Sequence, residues 1–375
     1  MNDVLCDLEW LKSNKTRNYM KHQKQVHIVD LFSGCGGLTL GALEGFYTNE
    51  ISCKVKLAVE NNEYSSKIYK DNFKDCLEEM YIGDVEDLIC GYPEDKLGES
   101  EQKLKENFSN INLVLAGPPC QGHSRLNNHT RSNDPRNKLY LKVIRFVEIC
   151  KPKYVIIENV LNIKHDKDNI LDESKVILEN LGYKVQNLTV KIAKYGVAQK
   201  RIRHVQIASL NEVTFDFTKY QKRYVLSDVI EDIIDESKSS DNIFHTPSVT
   251  KHMERINYLF ENNMHDLPNH MRPDCHKKKN HTYPTSYGRL KWDDASTTIT
   301  RGFSTMGQGR FVHPLRRRTL TPHEASRIQG FPDFFKFNEV KKRGQLHLMI
   351  ANAVPPKVGA MIINEIIHYE NEVNA

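Results

Sequence analysis

Apolar residues gather in short runs along the first half of the chain, and polar stretches with helical spacing separate them. Runs at 26–32, 55–60, 111–116, 153–158, 184–192 and 203–209 are rich in Val, Ile and Leu and predict buried strands. Tyr64–Phe73, Lys138–Cys150 and Asn169–Leu181 carry apolar residues three and four apart and predict helices; the last stops at Gly182, a suitable C-cap. Strand and helix alternate through 26–210 as in a doubly wound α/β sheet. The pattern degrades between 211 and 345. There Tyr224–Ile234 predicts a helix, the acidic, serine-containing stretch Glu231–Asp241 predicts a linker, and the rest is irregular. From Gln345 the apolar pattern returns, and Pro356–Tyr369 predicts a closing helix. The expected organisation is an N-terminal extension (1–25), a sheet domain (26–210), an inserted smaller module (211–345) and a return to the first domain (346–375).

The chain's 375 residues can bury a full core and suit about two domains. No apolar run approaches the ~20 residues of a membrane helix, and Met1–Gln25 is polar and basic without a signal-like core. No membrane association and a cytoplasmic location are expected. Eight cysteines, none in C-x-x-C spacing, argue against a disulfide framework or a structural zinc site, so no metal is expected. Charge is unevenly spread. The whole chain carries +5, yet residues 270–345 hold sixteen Lys and Arg against six Asp and Glu, a balance of +10 that leaves −5 elsewhere. The triplets Lys277–Lys279, Arg316–Arg318 and Lys341–Arg343 supply much of it. Any one triplet reads as solvated surface; their concentration in one segment predicts a face for a polyanion.

Three predicted strands end in chemically loaded turns, which suggests one active edge built from strand tips. The run 111–116 delivers Gly117-Pro118-Pro119-Cys120-Gln121-Gly122-His123, where two prolines stiffen the turn that presents a thiol. Cys120 is a candidate nucleophile, the alternative being a small buried cysteine. The run 153–158 ends at Glu158, followed by Asn159 and Val160, and Glu158 is either a positioned acid or half of a salt bridge. The run 26–32 leads into Ser33-Gly34-Cys35-Gly36-Gly37-Leu38, whose glycines let backbone N–H groups approach a ligand. The spacing departs from G-x-G-x-x-G, which disfavours a nicotinamide oxidoreductase. Glu60, thirty residues after Asp30, can accept two ribose hydroxyls; a solvent-facing role is its alternative. Asp84 can accept from an adenine amino group or cap a helix.

Asp30–Gly37, Gly117–Gln121, Glu158–Val160, Gln199-Lys200-Arg201-Ile202-Arg203, Arg318–Pro332 and Asn352–Pro356 occur in the order and spacing of one family. The chain resembles the DNA (cytosine-5)-methyltransferases over roughly residues 26–365, least well from about 211 to 285. The resemblance implies a Rossmann-like methyltransferase sheet with an inserted target-recognition domain, S-adenosylmethionine as cofactor and double-stranded DNA as partner. It implies a monomer, prokaryotic, working in the nucleoid with or without a companion restriction endonuclease. By the same resemblance Phe32, Gly34, Gly36, Leu38, Glu60, Asp84, Val85 and Pro118 shape the cofactor pocket, and Asn352, Ala353 and Val354 close it. Ala351 stands where the family usually has Gly.

For the reaction, the resemblance makes Cys120 the nucleophile on cytosine C6 and Glu158 the partner of N3 and the exocyclic amine. Arg203 and Arg201 bind O2; two arginines two apart on a strand share a face, so an ion-pair network competes with that reading. Gln121, Ser124 and Asn159 are supports, Gln121 and Ser124 also as DNA contacts, and His123 stands near a phosphate. The target base has to leave the helix. In the inserted module, 279–289 and 298–310 are expected to meet DNA, with Arg289, Thr298, Arg301 and Arg310 as contacts. Arg272, Lys277–Lys279 and Arg316–Arg318 are expected at phosphates, and Glu324 and Arg327 as an internal salt bridge. A tRNA cytosine methyltransferase and a DNA-binding regulator on a vestigial fold are the rival readings. The basic module disfavours the first, and intact Cys120, Glu158 and Arg203 the second.

Overall fold

The computed structural model describes residues 8–119, 138–166, 169–236, 242–248, 252–277, 286–337 and 340–373. Eleven strands occur among them, namely β1 (Gln25–Leu31), β2 (Ser52–Glu60), β3 (Met80–Ile82), β4 (Leu113–Ala116), β5 (Tyr154–Val160), β6 (Lys184–Lys191), β7 (Gln199–Lys200), β8 (Ile202–Ser209), β9 (Gly288–Arg289), β10 (Ser296–Thr297) and β11 (Arg310–Val312). The helices are α1 (Leu8–Leu11), α2 (Gly37–Thr48), α3 (Glu63–Phe73), α4 (Val85–Leu88), α5 (Glu99–Asn107), α6 (Leu139–Cys150), α7 (Ile170–Asn180), α8 (Leu226–Ile230), α9 (Met253–Glu261), α10 (Asp274–Lys277), α11 (Pro322–Ile328), α12 (Arg343–Asn352) and α13 (Pro356–Val373).

Seven strands form one sheet in the order β3-β2-β1-β4-β5-β8-β6. Strands β1 to β5 run parallel, and β8 is antiparallel to both neighbours. Val29, Leu31, Val114 and Ile157 join Val143, Phe146 and Val147 of α6 and Leu178 of α7 in one apolar cluster. The alternating residues Ile28, Leu115 and Ile156 are fully buried too. Both faces are therefore covered, which is why these strands read as continuous apolar runs.

The chain divides into two interleaved compact units. The sheet unit comprises 17–191, 202–219 and 356–375; the second comprises 1–16, 192–201 and 220–355. In the sheet unit α13 lies against α2 at backbone contact. A Cβ on Gly41 would meet the Pro356 carbonyl oxygen at 1.9 Å, and one on Gly359 the Leu38 carbonyl oxygen at 2.7 Å. In the second unit Trp10 packs edge-on to Phe334 at 5.9 Å, and Leu11 and Ser13 accept from the backbone N–H groups of Asp333 and Phe334. Contrary to the hydropathy expectation, Arg343–Val373 is long and apolar enough to cross a membrane. Its most apolar stretch is 83% buried inside the protein, as core helices are.

Candidate active site

Register brings the loaded turns to one edge of the sheet. Leu31 pairs with Val59 and with Ala116, and Ala116 pairs with Ile157. Phe32–Gly36 and Gly117–Pro119 leave the sheet at the level where Glu60 ends β2 and Glu158 stands near the end of β5. Phe32, Gly34 and Gly36 take positive φ of 58°, 55° and 93°. A Cβ on Gly36 would strike the Phe73 ring at 2.2 Å, whereas one on Gly34 would meet nothing within 4 Å. The loop is thus packed from below and open at Gly34.

Glu60 is tied to that loop. Its Oε2 accepts from Gly34 N–H and its Oε1 from Asn62 N–H, both at 2.9 Å. Burial pushes its pKa up, while those N–H groups pull against the rise. A carboxylate has about four lone-pair sites, and the backbone N–H groups of Gly34, Asn61 and Asn62 do not fill them all. Beneath the loop, burial lifts Asp30 to about 7, although it accepts the Thr39 hydroxyl. Asp84 caps α4, accepting from Glu86 N–H at 3.0 Å through one oxygen, and is exposed. Val85 and Leu38 are buried, and Phe32 packs against the sheet core. A glycine turn with space above Gly34, a carboxylate oriented by backbone N–H groups and a helix-capping aspartate suit a nucleoside with a free ribose diol.

Glu158 is 8% exposed, and Arg203 Nε lies 2.7 Å from its Oε1. Antiparallel pairing of Val160 with Arg203 sets this contact. Arg203 also donates from Nη1 to the Ile202 carbonyl at 2.8 Å. Asn159 donates to the Pro118 carbonyl at 3.4 Å, so β5 holds the turn that leads towards Cys120. Cys120, Gln121, His123 and Ser124 lie outside the described residues.

A sequence model of the C-5 cytosine-specific DNA methylases matches residues 26–368. The chain belongs to this family. The methylase is accordingly a DNA (cytosine-5)-methyltransferase. It is 42% identical to the type II methyltransferase M1.BsuMI of Bacillus subtilis, across 96% of this chain and 84% of that one. It is 27% identical to type II methyltransferase M1.HphI of Haemophilus parahaemolyticus, across 93% and 88%. Among solved structures, the Entamoeba histolytica methyltransferase EhMeth shares the fold with a TM-score of 0.62 at 20% identity, covering 93% of this chain and 99% of that one. The S. pombe Dnmt2 methyltransferase does so with a TM-score of 0.59 at 17% identity, covering 93% and 100%.

Arg201 does not share a strand face with Arg203. The strand breaks between β7 and β8, and Arg201 sits in the break, 3% exposed, in the second unit of the methylase. Its guanidinium donates to the carbonyls of Ala351 at 3.0 Å, Ala353 at 3.3 Å and Ile299 at 3.4 Å. Gln329 adds bonds to Ile350 at 2.6 Å and Ala353 at 3.4 Å and accepts from Gln199 at 2.7 Å. This clamp holds the main chain around exposed Asn352, buried Ala353 and half-buried Val354. Gln199 and Gln329 are quoted within motifs, but sequence reasoning missed their pairing because 130 residues separate them.

The expected DNA-facing arginines differ from one another. Arg289 donates to the Pro314 carbonyl at 2.8 Å and lies over the Phe260 ring at 4.0 Å. Arg310 donates to the His265 and Arg289 carbonyls at 3.2 Å and pairs with Asp266. Thr298 donates to the Lys200 carbonyl at 3.2 Å. Arg301 is exposed and makes no hydrogen bond or ion pair with a described residue.

Two charge expectations need correction. Arg316 bonds Asp235 at 2.8 Å, Arg317 bonds Asn257 at 2.9 Å and Glu261 at 3.2 Å, and Arg318 bonds Glu324 at 2.7 Å. Each arginine of the triplet thus meets an acid from 235–324. Nor do Glu324 and Arg327 pair. Glu324 is turned back to accept from Thr321 N–H at 2.8 Å in a capping box, where Arg318 meets it. Burial would raise Glu324, but His313 and Arg318 hold it down to about 2. Arg327 instead bridges Asp232 at 3.0 Å and Asp333 at 2.5 Å.

Proposed function

We propose that the protein transfers a methyl group from S-adenosylmethionine to C5 of a cytosine within a specific duplex DNA sequence. The names of its type II relatives support a role in restriction-modification; a monomer, working with a companion endonuclease that needs no stable contact or as a solitary methylase, completes the reading. The alignment of strand tips carries the reading: one edge bears the glycine loop with Glu60, the turn before Cys120, and the Glu158–Arg203 pair.

When bound, S-adenosylmethionine supplies an electrophilic methyl on a sulfonium sulfur. Glu60 receives the ribose hydroxyls, Asp84 the adenine amine, and the Gly34–Gly36 backbone lies alongside. The target cytosine is extruded from the duplex, since none of these side chains reaches a stacked base. The Cys120 thiolate adds to C6, forming a carbon–sulfur bond and pushing electron density to C5. Glu158 hydrogen-bonds the exocyclic amine and passes a proton to N3 as charge builds there. Arg203 holds that carboxylate and donates to O2. C5 takes the methyl with release of the neutral thioether S-adenosylhomocysteine; water then takes the C5 proton, the thiolate is eliminated, and N3 returns its proton to Glu158.

Bisulfite sequencing of DNA from cells expressing the protein tests the reading. Protected cytosines confined to one sequence context are expected. Full conversion of every cytosine sinks the proposal, and protection found in tRNA alone moves it to the rival polymer.

A further inference from the structure

His245 and His323 turn the same ring atom towards one carboxylate. In the second unit, Nδ1 of His245 lies 2.8 Å and Nδ1 of His323 lies 2.6 Å from Oε2 of Glu236. All three atoms fall within 4.8 Å of one another. The ring centroids stand 5.0 Å apart with planes at 86°. Two imidazoles on one tetrahedral ion, with metal–nitrogen bonds of about 2.0–2.1 Å, have centroids about 5 Å apart. The spacing of the rings is therefore that of two imidazoles on one such ion. Ligand atoms around it lie about 3.3 Å from each other, so Glu236 needs to withdraw by only a fraction of an ångström. Its side chain is 37% exposed.

The far side of His323 supplies a second, independent sign. Its Nε2 meets Asp333 Oδ1 at 2.8 Å, and Arg327 holds that carboxylate through two bonds of 2.5 Å. Phe244 stacks on the same ring at 4.9 Å. Metal-ligating histidines are oriented in this way, by an anchored carboxylate on the other nitrogen. Burial is graded, with His323 side chain 7% exposed and His245 27% exposed, leaving an outer side for water. Cysteine spacing, on which the expectation of no metal rested, says nothing of a His-His-Glu set.

We infer that Glu236, His245 and His323 bind a divalent transition-metal ion of the Zn2+ class, with water completing the shell. Imidazole with carboxylate selects that class over Mg2+ or Ca2+. The ion takes the place of the protons now shared between the two rings and the carboxylate. It ties together the end of the 231–236 segment, the 242–246 turn and α11, and so stiffens the second unit rather than entering the methyl transfer.

The test uses the full-length, metal-stripped protein titrated with ZnCl2, read by calorimetry and by melting temperature. One tight equivalent and a raised melting temperature are expected, with no such rise on adding MgCl2. His245→Ala and the near-isosteric Glu236→Gln should each weaken zinc at least about tenfold and abolish the rise. Their metal-free melting temperatures should stay near the parental value, which separates lost binding from misfolding. Undiminished affinity in both variants would put the ion elsewhere and overturn the assignment. So would the lack of any equivalent tighter than on the order of 0.1 mM.

Discussion

The sheet unit and the second unit hold their functional groups by different physics. In the first, apolar residues of β1, β4 and β5 pack with those of α6 and α7, and the chemistry stands on the strand ends that this packing aligns. The second buries apolar residues too, Ile328, Phe331, Phe337 and Ile350 among them, but there ion pairs also tie loops together across long stretches of chain. Arg327 reaches back 95 residues to Asp232, Arg316 81 to Asp235 and Arg310 44 to Asp266. Apolar burial is non-directional, at roughly 25 cal/mol per Å2, and tolerates exchange of similar residues. A buried charge tolerates little, because losing its partner leaves it unpaired. A regular sheet can thus offer rigid tips for a reaction, while an irregular module keeps its loops in place with polar ties.

The largest effect belongs to the strand tips. Cys120→Ser should reduce methyl transfer to background while leaving cofactor affinity and melting temperature near parental; transfer at the parental rate would remove Cys120 as nucleophile. Glu158→Gln should slow single-turnover transfer by about 10²–10⁴-fold, again with little change in stability. If it mainly unfolds the protein instead, the pair with Arg203 is structural and the contrast between units weakens.

Arg327→Met probes the other side. It removes the buried cation from Asp232 and Asp333, leaving them Lys12 and His323, and should cost up to about 3–5 kcal/mol in urea unfolding. A loss below ~1 kcal/mol would mean that the second unit does not depend on this tie. A smaller effect should appear in the sheet unit with pH. Burial raises Asp30 from its ordinary 3.8 to about 7, so the folded state takes up a proton between those values. Stability conferred by the protonated group is complete below that window and lost as pH rises through it. The urea midpoint of Asp30→Asn relative to the parent should therefore climb across the window and level off above it. A pH-independent difference would contradict the shift. Smallest of all, Arg301→Ala should weaken duplex binding modestly and lower the salt slope by about one, with no change in melting temperature. An altered melting temperature would place Arg301 among the structural ties.

Local pattern made the sheet legible. The run 111–116 became Leu113–Ala116, 153–158 became Tyr154–Val160 and 203–209 became Ile202–Ser209, because strands buried on both faces are continuous apolar runs. Two elements left no such mark. Met80–Ile82 is a three-residue edge strand, too short for a period, and Gly37–Thr48 is buried at ten of its twelve positions, so it carries no polar stripe. Positive φ at Phe32 ends β1 one residue early, a turn that an aromatic residue does not announce.

Sequence alone determined the order of strands, the turns that follow them and the chemical types those turns carry, since each depends on neighbours a few residues away. Tertiary structure alone decided which charges meet. Arg201 looked like a companion of Arg203 and instead anchors the carbonyls of Ala351 and Ala353; Arg318 looked free for phosphate and instead neutralises Glu324. Coulomb and hydrogen-bond energies depend on distance in space, and spacing along the chain does not encode that distance once the chain leaves a regular helix or strand.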